Sequence, residues 1–372
     1  MRLSIALLWV STLYGQLSGG LPFPGPGTPA SSAGGTCTPA TGYAHCRVLT
    51  VDRTQVGGST LTNFPVLVQA TLGSSRINNA NCYDVIYTSD SGGTTPVPWE
   101  QESCTQSTGA VIAWVLCASC SASANTVLYV SYDNASISTA QNTGANGPTH
   151  VWDSSYQAVW HFPNGSTLTT NDSTSNAHNL TNTGSVAATS GQIDGAALFS
   201  GSNHLDTASN AMISGASQIA IECWVNYTGS SNLADWFMQY TSSGLYAEAT
   251  GGNTLIEFGV GSASNRGDFA LPSGLTHFVM VYDGTQSTNA TRLTLWYNGV
   301  QQTASGFTGT IPASFPAVTG PFVLASQDVA RFAGVFDEFR VSVGTARSAA
   351  WITASYNNQK TSSTFLTVGS EI

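Results

Sequence analysis

The sequence predicts an all-β protein of two β-sandwich domains, and three observations carry that prediction. Gly, Ser, Thr and Asn dominate, while charged residues make up only 8% of the chain and aromatic residues 10%. Such a composition suits short strands joined by turns better than long Ala/Leu/Glu/Lys helices. Apolar residues recur in short runs bounded by Gly- and Asn-containing turns, the pattern of packed strands. With 372 residues, the chain has room for two cores of ordinary size.

Residues 1–20 carry Arg2, an apolar run from Leu3 to Tyr14, and small residues at Ser18, Gly19 and Gly20. This is the pattern of a secretory signal peptide, and the run is shorter than the roughly 20 apolar residues that span a bilayer. We therefore expect a secreted or cell-surface protein without a membrane span. Residues 21–40 contain Pro22, Pro24, Pro26 and Pro29 among Gly and Ser, and read as an exposed spacer. A net charge of −10, with only ten Lys and Arg, excludes nucleic acid as a partner, because phosphate binding needs clustered positive charge.

The first sandwich is expected over residues 41–138. Its strands are read at Arg47–Val51, Phe64–Ala70, Asp84–Thr88, Val111–Leu116 and Thr126–Tyr132, separated by turns such as Ser91-Gly92-Gly93 and Thr108-Gly109. Six of the seven cysteines precede residue 121, which in an exported chain points to disulfides. Spacing alone leaves the connectivity open. We expect Cys82 with Cys104, Cys37 with Cys46, a local Cys117–Cys120 bridge rather than a zinc site, and Cys223 as a buried free thiol. The segments Asn63-Phe64-Pro65-Val66-Leu67-Val68, Tyr83–Asp90, Trp99-Glu100-Gln101-Glu102, Ala113-Trp114-Val115 and Leu128–Asn134 occur in the order found in an uncharacterised β-domain. That domain often precedes laminin-G-like modules in bacterial exported proteins; the resemblance implies architecture and no chemistry.

Residues 139–149 are polar, with Gly144, Asn146, Gly147 and Pro148, and mark a linker before a second domain over 150–372. Val151-Trp152-Asp153 and Ala158–Phe162 open this domain. Arg292–Tyr297 alternates and ends in Asn298-Gly299, a strong hairpin signal because both residues tolerate positive φ. One helix is expected, with Ser348 as N-cap and Ala349–Tyr356 as its body. Near the end, strict alternation over Val335–Val341 puts Asp337 on the apolar face with Val335, Phe339 and Val341. A carboxylate there needs a cation or backbone N–H groups as partners.

Asn171–Asn176, Gly191–Phe199 and Phe332–Val341 resemble the opening and closing strands of a laminin-G-like, concanavalin-type jelly roll. The resemblance extends over nearly all of residues 150–372. It implies a module that mostly binds glycans or proteins, and it implies a structural calcium held by Asp172, Asp337 and backbone oxygens near Ser200 and Gly201. The alternative for these residues is that Asp172 caps its own turn and Asp337 accepts backbone N–H groups.

Glycan recognition calls for aromatic platforms beside polar groups. Trp236 with Tyr240, Asn232 and Asp235 is the chosen site, with Trp236 read on a loop; Tyr246, Trp296, Gln239, Glu248 and Asn253 are further candidates. Catalysis is not expected. No strand carries the alternating acids of a retaining glucanase, and Glu100 and Glu102 lie in the first domain. Gly-x-Ser-x-Gly and His-Glu-x-x-His motifs are missing, and the six histidines are scattered, His161 and His277 being read as packing residues. The expected function is therefore an exported, non-catalytic glycan-binding protein. The alternatives are an adhesive surface protein with protein ligands and a polysaccharide-active glycoside hydrolase.

Overall fold

The computed structural model describes residues 35–372 apart from 164, 230–233, 241–243, 251, 253 and 326–331. The expected signal segment 1–20, most of the spacer 21–40, and Asn232 and Asn253 lie outside these residues. Residues 34–372 form one compact unit.

The structure is all-β with two sandwiches. The N-terminal sandwich packs a four-stranded sheet on a three-stranded one. The first runs Leu366–Val368, His45–Val51, Thr126–Tyr132, Val85–Thr88; the second runs Leu61–Thr71, Ala110–Cys120, Trp99–Thr105. Their inward residues, among them Leu49, Val66, Val68, Val115, Leu128 and Val130, close a hydrophobic core. Cys37–Cys46, Cys82–Cys104 and Cys117–Cys120 are bonded, and Cys223 is a buried thiol, as expected.

The second sandwich is a jelly roll of two antiparallel sheets. One, the closing sheet, is ordered Val300–Gln301, Leu293–Tyr297, Thr276–Asp283, Gln218–Tyr227, Ala333–Val343, Gly195–Ser200, Ala187–Ser190, with Tyr156–Trp160 also paired to Ala333–Val343. The other, the outer sheet, is ordered Gly306–Thr308, Arg266–Ala270, Leu255–Val260, Gly244–Thr250, Ala234–Tyr240, Phe322–Leu324, His204–Asp206, Thr181–Thr183. Between them lies an aromatic core that includes Trp160, Trp236, Phe237, Phe258, Phe278, Phe336 and Phe339. The Asn298-Gly299 turn forms with φ of 51° and 77°, both in the left-handed region the hairpin demands.

The helix begins where Ser348 caps it, its hydroxyl accepting from the Trp351 amide at 3.2 Å, and it extends to Lys360, a turn past the expected end. Burial between two partners explains the extension. Ile352 packs on Ala220, Val279 and Val281 of the closing sheet, while Trp351 meets Phe64 at 5.0 Å between ring centroids. Asn358 accepts from the Leu67 amide and donates to the Pro65 carbonyl, both at 3.0 Å. Beyond the helix, Leu366–Val368 pairs with His45–Val51, so the C-terminus completes the N-terminal sandwich.

The closing strand corrects one expectation. A register shift opposite Glu222–Trp224, with Glu338 at φ 51°, interrupts the alternation. Phe336, Phe339 and Val341 face the aromatic core, whereas Asp337, paired with Trp224, and Arg340, paired with Glu222, face away from it toward the helix and the N-terminal sandwich. Asp337 is still fully buried.

Candidate functional site

At one edge of the jelly roll, the ends of the two sheets leave a groove of about 360 Å³. Phe307, Phe269, Thr294, Gln301, Gln302 and Thr303 line it. A second depression of about 280 Å³ shares Gln302 and adds Tyr297, Asn298 and Ser273. Local sequence explains the shape. Gly267 lies beneath Phe307, where a Cβ would come within 2.9 Å of the ring, and the Asn298-Gly299 turn folds Val300–Gln301 back along Leu293–Tyr297. Burial pushes the Tyr297 hydroxyl well above the usual tyrosine range, and it donates to the Ala270 carbonyl at 2.6 Å. Amides, hydroxyls and aromatic surface line both depressions, with no charged residue among the lining groups. That mixture suits a ligand rich in neutral hydroxyls.

Trp236 is not part of any such surface. It lies in the strand Ala234–Tyr240 and is fully buried, its ring within 5.7 Å of those of Tyr227, Phe278 and Phe332. The polar Ser230-Ser231-Asn232 stretch before it suggested a loop, but the tryptophan falls on the inward face of a strand. Asp235 and Tyr240 belong to the same strand, Asp235 standing opposite Glu248. Of the other candidates, Trp296 is half-buried, its indole N–H donating to Thr294 Oγ1 at 3.3 Å. Tyr246 is buried over Gly259, where a Cβ would collide with its ring.

The outward face of the outer sheet carries acids in register. Glu248 stands opposite Glu257, and Glu257 opposite Asp268. Arg266 Nε lies 3.4 Å from Glu257 and 3.5 Å from Asp268. Burial, reinforced by Asp268 and opposed by Arg266, raises the pKa of Glu257. Sequence reasoning sought paired acids along one strand and so missed a row formed across three.

The residues expected to hold calcium have protein partners. Asp172 Oδ1 accepts from the amides of Val159 at 3.0 Å and Thr174 at 2.9 Å, while Oδ2 accepts from Thr174 Oγ1 and the His178 amide at 2.8 Å. With two donors on each oxygen, the geometry favours the turn-capping alternative. Asp337 Oδ2 accepts from the amides of Gln192 at 2.7 Å and Ile193 at 3.0 Å, and Oδ1 is buried without a hydrogen-bond partner. Gly201 sits in the turn after Gly195–Ser200 with φ 80°. The donors to Asp172 come from the strand Tyr156–Trp160 and the segment around Thr174–His178, and those to Asp337 from the Gln192-Ile193 turn.

A second cluster lies buried between the sandwiches. His161 Nδ1 is 2.7 Å and 2.9 Å from the two carboxylate oxygens of Glu338, and 3.7 Å from Glu102 Oε2. Trp114 Nε1 donates to Glu102 Oε2 at 2.8 Å, and Arg340 Nη2 donates to Glu338 Oε2 at 2.6 Å. Burial and the neighbouring Glu338 push the pKa of Glu102 well up, and burial with Glu338 does the same to Asp337. Burial alone would lower that of His161; Glu338 and Glu100 overcome it and raise it. Among the described residues, Glu102, His161 and Glu338 are the group with metal-ligand spacing. Sequence reasoning noted Glu100 and Glu102 together on a strand of the first domain and His161 in the second, and so did not join them.

Residues 199–353 match a laminin G family model described as the concanavalin A-like lectin/glucanases superfamily. No curated protein matches the chain. Among solved structures, domain 4 of AbnA, a GH43 extracellular arabinanase from Geobacillus stearothermophilus, in complex with arabinotriose, is similar at 21% identity. The match covers 53% of this chain and 96% of that one, with a TM-score of 0.42. The binding domain of botulinum neurotoxin DC in complex with SialylT is similar at 11% identity and a TM-score of 0.41, covering 55% of this chain and 52% of that one. A pentraxin from Limulus polyphemus is similar at 14% identity and a TM-score of 0.29, covering 40% of this chain and 73% of that one.

Proposed function

We propose that the protein is an exported, non-catalytic carbohydrate-binding protein that takes neutral glycan chains in the edge groove of its jelly roll. The observation that carries this reading is the groove itself, lined by Phe307, Thr294, Gln301, Gln302 and Thr303. Amide and hydroxyl groups pair with sugar hydroxyls, while the aromatic lining covers the apolar face of a pyranose or furanose ring. A net charge of −10 disfavours acidic polysaccharides as ligands. A glycan array probed with the wild-type chain and with Gln301→Ala tests the reading. Neutral glycans bind the wild type and lose at least tenfold in affinity with the variant. Binding that Gln301→Ala leaves intact removes the groove from the reading.

A second reading, a glycoside hydrolase, is favoured by the cross-strand acids Glu248, Glu257 and Asp268. Directly opposed residues bring side chains within roughly 5 Å, the spacing of a retaining acid pair, and burial raises the pKa of Glu257, the direction a general acid requires. Reducing-sugar release from a panel of polysaccharides decides between the two: release by wild type and none by Glu257→Gln would replace the binding-only reading.

A further inference from the structure

We propose that Glu102, His161 and Glu338 bind a divalent transition-metal ion, of the zinc or manganese type, that pins the N-terminal sandwich to the jelly roll. The three residues come from separate segments: the strand Trp99–Thr105, the stretch just after Tyr156–Trp160, and the strand Ala333–Val343. Each offers one ligand atom, and these atoms lie within 4.8 Å of one another. Their side chains are 0%, 5% and 0% exposed, so water cannot solvate the carboxylates.

Two observations point to a cation rather than to a closed hydrogen-bond network. Glu102 Oε1 is buried without a hydrogen-bond partner, although the other oxygen of the same carboxylate is held by Trp114. The site also gathers more acid than base. Glu102, Glu338 and the adjacent Asp337 are all buried, and the cationic groups in direct contact are Arg340 and the His161 ring.

The surroundings have the form of a metal site's supporting shell. His161 turns Nδ1 to the two carboxylates, and its Nε2 faces Glu100 Oε2 at 3.4 Å. Glu100 is itself held by Trp152 Nε1 at 2.7 Å and Ser173 Oγ at 2.6 Å. A carboxylate behind the distal ring nitrogen keeps a proton on Nε2, so that loss of the Nδ1 proton leaves Nδ1 as the lone-pair nitrogen for a metal. Arg340 orients Glu338 in the same way. One imidazole and two carboxylates, without sulfur, match zinc, manganese or ferrous iron; calcium needs six to eight oxygens. Binding displaces the Nδ1 proton. Because the ligands are buried on both sides of the junction, the ion's role is structural.

The full chain, unfolded with chelator and refolded with zinc, manganese, ferrous iron or calcium, tests this. After desalting, elemental analysis is expected to find one equivalent of a transition metal per chain, with a midpoint of unfolding several degrees above that of metal-free protein. Glu102→Gln, which keeps the shape of the side chain, is expected to weaken metal binding at least tenfold; His161→Ala is expected to abolish it. Should His161→Ala fail to refold, the metal content of Glu102→Gln still decides. Less than a tenth of an equivalent of any transition metal overturns the assignment. So does a response to calcium alone, or a midpoint shift of equal size in wild type and Glu102→Gln, which would place the ion elsewhere.

Discussion

The guanidinium of Arg340, on a jelly-roll strand, stacks over the indole of Trp114 in the N-terminal sandwich, with 4.3 Å from its central carbon to the ring centroid. It also lies 5.1 Å from the Trp152 ring and bonds to Glu338. A cation held between two desolvated indoles and a carboxylate ties the two sandwiches together, where the composition of residues 139–149 suggests only a linker.

This junction predicts that the sandwiches do not fold apart. Expressed separately, residues 35–140 lack the strand Leu366–Val368 and the helix Ala349–Lys360, and residues 141–372 lack the surface that covers Trp351. Neither piece is expected to melt cooperatively in a calorimeter, whereas the two co-expressed are expected to associate and melt as one. Cooperative melting of each piece alone would contradict the prediction.

Acid stability depends on Glu222. Burial alone would raise its pKa, but the hydrogen bond from His277, the charges of Arg340 and His277, and the Ser355 hydroxyl at 2.5 Å hold it well below the ordinary 4.5. A carboxylate lowered by folding contributes stability in full above its ordinary value, and that contribution is lost as pH falls below it. The midpoint of unfolding should therefore drop from about pH 4.5 downward. Glu222→Gln should flatten that slope, and Glu222→Ala should cost about 1–3 kcal/mol at neutral pH by leaving the buried Ser355 hydroxyl and His277 ring without their carboxylate and Arg340 with Glu338 as its remaining acidic partner.

Trp236→Ala should behave as a core truncation. It removes a ring packed against Tyr227, Phe278 and Phe332, and a cavity of that kind costs about 3–5 kcal/mol. Chemical denaturation measures the loss. Glycan affinity of the fraction that remains folded is expected to be unchanged.

Gly191→Ala should destabilise through backbone contact. A Cβ at this position would lie 2.2 Å from the Gly195 carbonyl oxygen and 2.5 Å from Asp337 Oδ2, within the turn whose amides hold Asp337. Overpacking of this sort costs about 1–3 kcal/mol, and thermal denaturation reads it.

Local chemistry makes much of the fold legible in the sequence. Thr126–Tyr132 shows its strand by apolar alternation, Asn298-Gly299 shows its turn by positive-φ tolerance, and Ser348 shows a helix start by its capping hydroxyl. What stayed hidden depends on distant pairing. The shift at Glu338 reverses the face of Asp337, because one extra residue in a strand exchanges the two sides. Glu102 and His161 lie far apart in sequence, and only the docking of the two sandwiches brings them within 3.7 Å. The edge groove depends on Phe307 and Gln301, which no local pattern distinguishes from ordinary strand residues.

Affinity electrophoresis through gels cast with neutral or acidic polysaccharides, comparing the wild-type chain with the Gln301→Ala, Thr303→Ala double variant, tests glycan binding in the edge groove. The wild type should be retarded by at least one neutral polysaccharide and by none of the acidic ones, and the double variant should run as it does in an empty gel. Retardation of both proteins alike, or of neither in any neutral polysaccharide, would contradict glycan binding in that groove.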